Sequence, residues 1–117
     1  MASLEDRVAA LEKAVLLEQC RSALINIQFH LYKAEICKGR WGSPGGNDIG
    51  ILELGKAREI LKQTPWKETI QDTLAYFDQR VATYADCLKK KDYTMVAYEE
   101  TRLKDAFKAL ESAALTS

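Results

Sequence analysis

The sequence predicts an all-α protein: a three- to four-helix antiparallel bundle whose long N-terminal helix extends partly as a coiled coil. Three observations predict it. Apolar residues recur at alternating spacings of four and three along most of the chain, the period of an amphipathic helix. Only residues 39–48, Gly-Arg-Trp-Gly-Ser-Pro-Gly-Gly-Asn-Asp, gather enough Gly and Pro to forbid helix. A second boundary falls at Thr64-Pro65, because Pro disfavours helix in the residue before it.

Residues 3–38 read as one helix. Ser3, with Asp6 three residues on, resembles a capping box, and no Pro or Gly intervenes before Gly39. Leu4, Val8, Leu11 and Val15 form an apolar seam, and the same frame passes Glu18 and Ser22 to reach Ile25, Phe29, Tyr32 and Ile36. A repeat averaging about 3.5 residues keeps such a seam facing a partner helix. From Leu17 a second stripe begins, through Cys20, Leu24, Ile27, Leu31 and Ala34, read as lying about 100° around the helix from the first. The first half is therefore expected to bury one narrow seam, and the second half to run through the core on a wide apolar face. A helix of this length spans about 54 Å. A compact domain of this size is roughly 35 Å across. The helix must then project, unless the others are drawn out beside it.

Residues 39–48 are the one long loop, with Asn47 or Asp48 available to cap the next helix. Ile49-Gly50-Ile51-Leu52 is open to either helix or extended chain, and Leu54, Ala57 and Leu61 favour helix from about residue 51 despite Gly55. Pro65 suits a first helical position behind a Thr64 cap. From there Trp66, Ile70, Leu74, Phe77, Val81, Tyr84 and Leu88 mark the cleanest amphipathic helix, over 65–91. A last helix over 94–115 carries Val96, Leu103, Phe107, Leu110 and Ala114, capped by Asp92 or Thr94. Helices joined by short turns lie antiparallel, so residues 49–117 are expected to form a helical hairpin core within one domain of 117 residues.

Composition narrows function. The chain is 47% hydrophobic and 29% charged, which suits a globular fold rather than disorder. Seventeen acids balance seventeen bases, so no global charge draws the chain to nucleic acid, and nucleic acid is not an expected partner. Lys89-Lys90-Lys91 reads as a solvated helix end. Three cysteines, Cys20, Cys37 and Cys87, match no metal spacing and read as reduced thiols of a cytoplasmic protein. No stretch is apolar enough to span a membrane, and early charges argue against a signal peptide.

Candidate chemistry is sparse. His30 is the only histidine and has no carboxylate at helical spacing, so it reads as structural and as no metal ligand. Glu99-Glu100 reads as a solvated charged face. Residues 39–48 lack the ending of a nucleotide-binding loop. No catalytic residue, metal site or cofactor is expected. Arg40-Trp41 has the composition of a partner anchor, against the competing reading of Trp41 as a lid on the end of the bundle. The expected function is that of a non-enzymatic adaptor, scaffold or complex subunit. It would bind a protein partner or self-associate through Leu4, Val8, Leu11 and Val15, with Arg40 and Trp41 as further interface residues. The alternative is a helical module for a small apolar or anionic ligand.

Overall fold

The capping box at Ser3 forms as the sequence implies. The Asp6 backbone N–H donates to the Ser3 hydroxyl at 3.1 Å, and the Ser3 N–H donates to the Asp6 carboxylate at 3.3 Å. In the computed structural model, which describes residues 3–38 and 46–116, this cap opens the first of four α-helices. They are α1 (Leu4–Lys38), α2 (Gly46–Gln63), α3 (Gln71–Lys90) and α4 (Tyr93–Leu115). A single 3-10 turn, Glu68–Ile70, leads into α3, and there is no strand among the described residues.

Cross-helix contacts set the topology. His30 meets Glu53 and Cys20 meets the Pro65 carbonyl, so α1 and α2 are antiparallel. Arg58 pairs with Asp78 at 2.8 and 3.1 Å, and Asn47 reaches the Leu88 carbonyl at 3.0 Å, so α2 and α3 are antiparallel. Phe77 packs on Phe107 and Arg80 meets Glu99, which makes α3 and α4 a hairpin. The result is an up-down-up-down bundle. Its core joins Leu24, Ile27 and Ala34 of α1, Leu54 and Ala57 of α2, Phe77, Val81 and Tyr84 of α3, and Leu103 and Leu110 of α4.

Helix α2 starts earlier than its sequence suggests. Gly46, Asn47 and Asp48, expected in the loop, are helical, and Ile49-Gly50-Ile51-Leu52 is helix rather than extended chain. Gly50 is buried there, and a Cβ at this position would stand at ordinary contact distance, 3.4 Å from Leu88 and 3.6 Å from the Ala34 carbonyl. Arg40 and Trp41 lie outside the described residues, as does the rest of 39–45.

The start of α3 moves the other way. Pro65 is not its first residue: Thr64–Lys67 is non-helical, and helix begins only at the 3-10 turn. Capping decides this. The half-buried Trp66 packs against the core as expected, but from the connector rather than from α3, and it donates its indole N–H to the Leu61 carbonyl at 2.7 Å, closing the C-terminus of α2. Lys67 donates its ammonium to the Ala113 carbonyl at 3.2 Å and to the Thr116 carbonyl, closing α4. The connector thus supplies caps to two helix ends, where carbonyls otherwise lack partners.

At the far end, Lys91 adopts a left-handed conformation at φ 58°, and the Asp92 N–H returns to the Cys87 carbonyl at 3.1 Å. Asp92 then caps α4, accepting from the Met95 N–H at 3.3 Å. Lys89 and Lys90 occupy the last turn of α3, with Lys90 on Asp86 at 2.9 Å.

The bundle is drawn out to 64 × 21 × 16 Å. Every residue of α1 before Leu16 is exposed, so its first three turns project beyond the body.

Candidate functional site

Helix α1 presents two apolar stripes, and they lie on nearly opposite faces. Counted at about 100° per residue, their mean directions differ by about 170° rather than 100°. A helix on the side of a bundle buries only the face toward its neighbours. The second stripe takes that place: Cys20, Leu24, Ile27 and Ala34 are buried. The first seam faces out along its whole length. Leu4, Val8, Leu11, Val15, Ile25, Phe29, Tyr32 and Ile36 are each between 43% and 76% exposed. This corrects the expectation that the second half of the helix buries a wide apolar face. Ile25, Phe29, Tyr32 and Ile36 stay outside, and they extend the row of the projecting half along the same face, with Glu18 and Ser22 between the two halves. Scattered exposed apolar residues need no explanation, but a contiguous row does.

Charges flank the seam on both sides. Glu5, Glu12 and Lys33 follow it on one edge; Arg7, Arg21 and Glu35 on the other. The polar break at its centre is internally balanced, because Arg21 meets Glu18 at 3.1 Å. Lys33 lies over the Phe29 ring at 4.6 Å.

Beside the seam, α1 and α4 touch only sparsely, leaving a groove of about 330 Å³. Leu31 and Tyr32 form one wall, Leu103 and Phe107 the other, and Tyr84 lies between them. Lys104 and Glu35 meet across the groove at 3.3 Å. Tyr84 is only 2% exposed, yet its hydroxyl has no hydrogen-bond partner among the described residues. Burial first, then the Glu35 carboxylate, pushes its pKa up to about 12, so the group is a neutral phenol at physiological pH.

Two buried carboxylates escaped the sequence reading. Glu53 is buried and its oxygen lies 2.5 Å from His30 Nδ1, with Lys56 at 3.2 Å on its other oxygen. His30 therefore does have a carboxylate, on the neighbouring helix. Glu99, expected on a solvated face, is buried between Arg80 at 3.1 Å and Arg102 at 3.8 Å. The signal for Glu99 was present: it sits three residues after Val96 and four before Leu103, within the apolar frame of α4.

The Glu53 pair makes an acid-stability prediction. The His30 hydrogen bond, outweighing burial and aided by Lys56 and Lys33, holds the Glu53 carboxyl below its ordinary 4.5. A lowered folded-state pKa adds stability above the unfolded value and loses it as pH falls through the folded one. Wild-type protein should therefore lose stability below about pH 4.5 more steeply than Glu53→Gln. Equal acid limbs in urea unfolding at pH 3–6 would show that the pair carries no such linkage.

Among the described residues no three His, Cys, Asp or Glu side chains are placed to hold a metal ion, and no helix is long and apolar enough to cross a membrane. Compared with known proteins, the chain matches no family model, no curated protein and no solved structure.

Proposed function

We propose that the chain is an assembly protein that works through helix–helix contact along the outward seam of α1. The carrying observation is the row of eight exposed apolar side chains from Leu4 to Ile36, on a helix whose opposite face already supplies the core. Covering that row removes apolar surface from water at about 25 cal/mol per Å². Its spacing is that of coiled-coil seams, in which side chains of one helix enter gaps on another. No reaction is proposed. The two buried thiols, Cys20 and Cys87, have pKa values raised chiefly by burial, which suits inert structural cysteines in a reducing, cytoplasmic compartment.

The test is mass in solution. Wild-type protein should self-associate, and Leu11→Asp with Val15→Asp should return it to the monomer, because two charges then sit in the seam. Both positions lie in the exposed stretch of α1, so the 65–115 core should stay folded. A monomeric wild type by light scattering, or a double variant that keeps the wild-type mass, would exclude this reading.

A second reading rests on Tyr84. A buried hydroxyl without a partner costs about 1–3 kcal/mol. An uncharged apolar molecule carrying one acceptor would relieve that cost within the α1–α4 groove. The probe is a naphthyl ketone dye with a dimethylamino group. It should bind with blue-shifted emission, about 5- to 10-fold more weakly in Tyr84→Phe, the loss of one neutral hydrogen bond. Leu103→Trp, which fills the groove, should abolish the shift. Equal dye affinity in all three proteins would remove the groove as a ligand site.

A further inference from the structure

We infer that the occupant of the α1 seam is the same seam of a second copy, laid antiparallel and centred between Glu18 and Ser22. The inference rests on the proposed assembly role and adds the partner and its direction.

The first ground is how the layers fill. In the antiparallel register Leu4 faces Ile36 of the second copy, Val8 faces Tyr32, Leu11 faces Phe29, and Val15 faces Ile25. Each layer joins a residue of the projecting half to one of the bundle half. The two large aromatic residues, Phe29 and Tyr32, then meet Leu11 and Val8. A parallel, in-register pair would stack Phe29 on Phe29 and Tyr32 on Tyr32, leaving Val on Val in the projecting half. Uneven layers of that kind lose contact at one end or crowd at the other.

Charge supplies the second ground. The antiparallel register sets Glu5 beside Lys33 of the second copy on one edge and Arg7 beside Glu35 on the other. Symmetry doubles both, giving four opposite-sign pairs, in two of which Glu35 is shared with Lys104 of its own chain at 3.3 Å. At the centre, Glu18 faces Ser22, whose hydroxyl can donate to it. The two Arg21 side chains approach there, but each already has Glu18 of its own chain at 3.1 Å, so the cluster is neutral. The parallel register pairs only Arg7 with Glu12, and it sets Glu18 against Glu18 in an apolar seam. A like-charge layer of that kind works against association.

Third, the approach is open. The buried stripe holding α1 to α2 faces away from the seam, and the groove toward α4 borders the seam only at Tyr32. Two bundles can therefore sit on the outer sides of one helix pair. The overlap, Leu4 to Ile36, runs about 50 Å, and the projecting turns of one copy gain support from the bundle half of the other.

The experiment uses full-length protein carrying Leu11→Cys and Phe29→Cys, with Cys37→Ser to remove the partly exposed native thiol. Oxidised protein is digested after Lys and Arg, and the linked peptides are weighed. The expected product joins the peptide of position 11 to that of position 29 between chains. Links of 11 to 11 and 29 to 29 in a dimer would overturn the direction while leaving the assembly role standing. A dimer with no inter-chain link would move the interface off the seam. A monomeric wild type would end both.

Charge reversal gives an independent readout. Glu5→Lys alone should weaken the dimer several-fold at low salt. Adding Lys33→Glu should restore it, because the two positions meet only in the antiparallel pair. If the double reversal is no tighter than the single, the register is wrong.

Discussion

Arg80→Met should cost about 3–5 kcal/mol of folding stability, the usual consequence of removing one partner of a buried ion pair. The Glu99 side chain is 4% exposed and that of Arg80 13%, and their atoms meet at 3.1 Å. Without Arg80, the Glu99 carboxylate keeps, among the described residues, the Arg102 ion pair at 3.8 Å. The penalty is the desolvated charge left behind, not the worth of the pair. Glu99→Met in the Arg80→Met background should therefore recover most of the loss, since apolar replacements of a buried pair are often neutral or better. Urea unfolding of the two single variants and the double variant closes the cycle. A loss below 1 kcal/mol for Arg80→Met would mean that Arg102 alone satisfies Glu99.

Phe77→Ala should cost a similar amount, about 3–5 kcal/mol, for a different reason. Phe77 is fully buried at the centre of the bundle and packs tilted on Phe107, with ring centroids 6.0 Å apart. Truncation forfeits its transfer from water and leaves a cavity against Phe107, which the helices can close only in part. The informative contrast is Phe29→Ala. Phe29 is on the outward seam of α1, so its loss should change bundle stability by no more than about 0.5 kcal/mol, as surface substitutions usually do. It should instead lower the mass of the assembly. If Phe29→Ala unfolds the bundle while Phe77→Ala does not, the two stripes have been assigned to the wrong faces.

The helices were legible because their signals are local. Ser3 and Asp6 wrote the start of α1, and Asp92 that of α4, through side chains within three residues of the backbone they cap. The spacing of Leu74, Phe77, Val81, Tyr84 and Leu88 wrote the buried face of α3, and all five are buried. The departures came where a distant partner outweighed a local preference. Pro65 is a good first helical residue, yet Trp66 and Lys67 serve the ends of α2 and α4 instead, so helix waits until Glu68. Gly50 is a poor helix residue, yet it is helical and buried, with Ala34 and Leu88 as its neighbours.

The candidate site divides along the same line. By itself the sequence determined that α1 carries two apolar stripes, since side-chain identity and helical period are both local properties. Which stripe enters the core depends on where α2 and α4 come to rest, and that is a property of the packed bundle. Only the tertiary structure decided that Leu24, Ile27 and Ala34 face inward while Leu4, Leu11, Phe29 and Ile36 face water. It alone also brought His30 to Glu53, Arg80 to Glu99, and Tyr84 into the α1–α4 groove, because each meeting joins residues of different helices. A helical period specifies a direction around one axis. Burial specifies what stands in that direction, and that requires the other three helices.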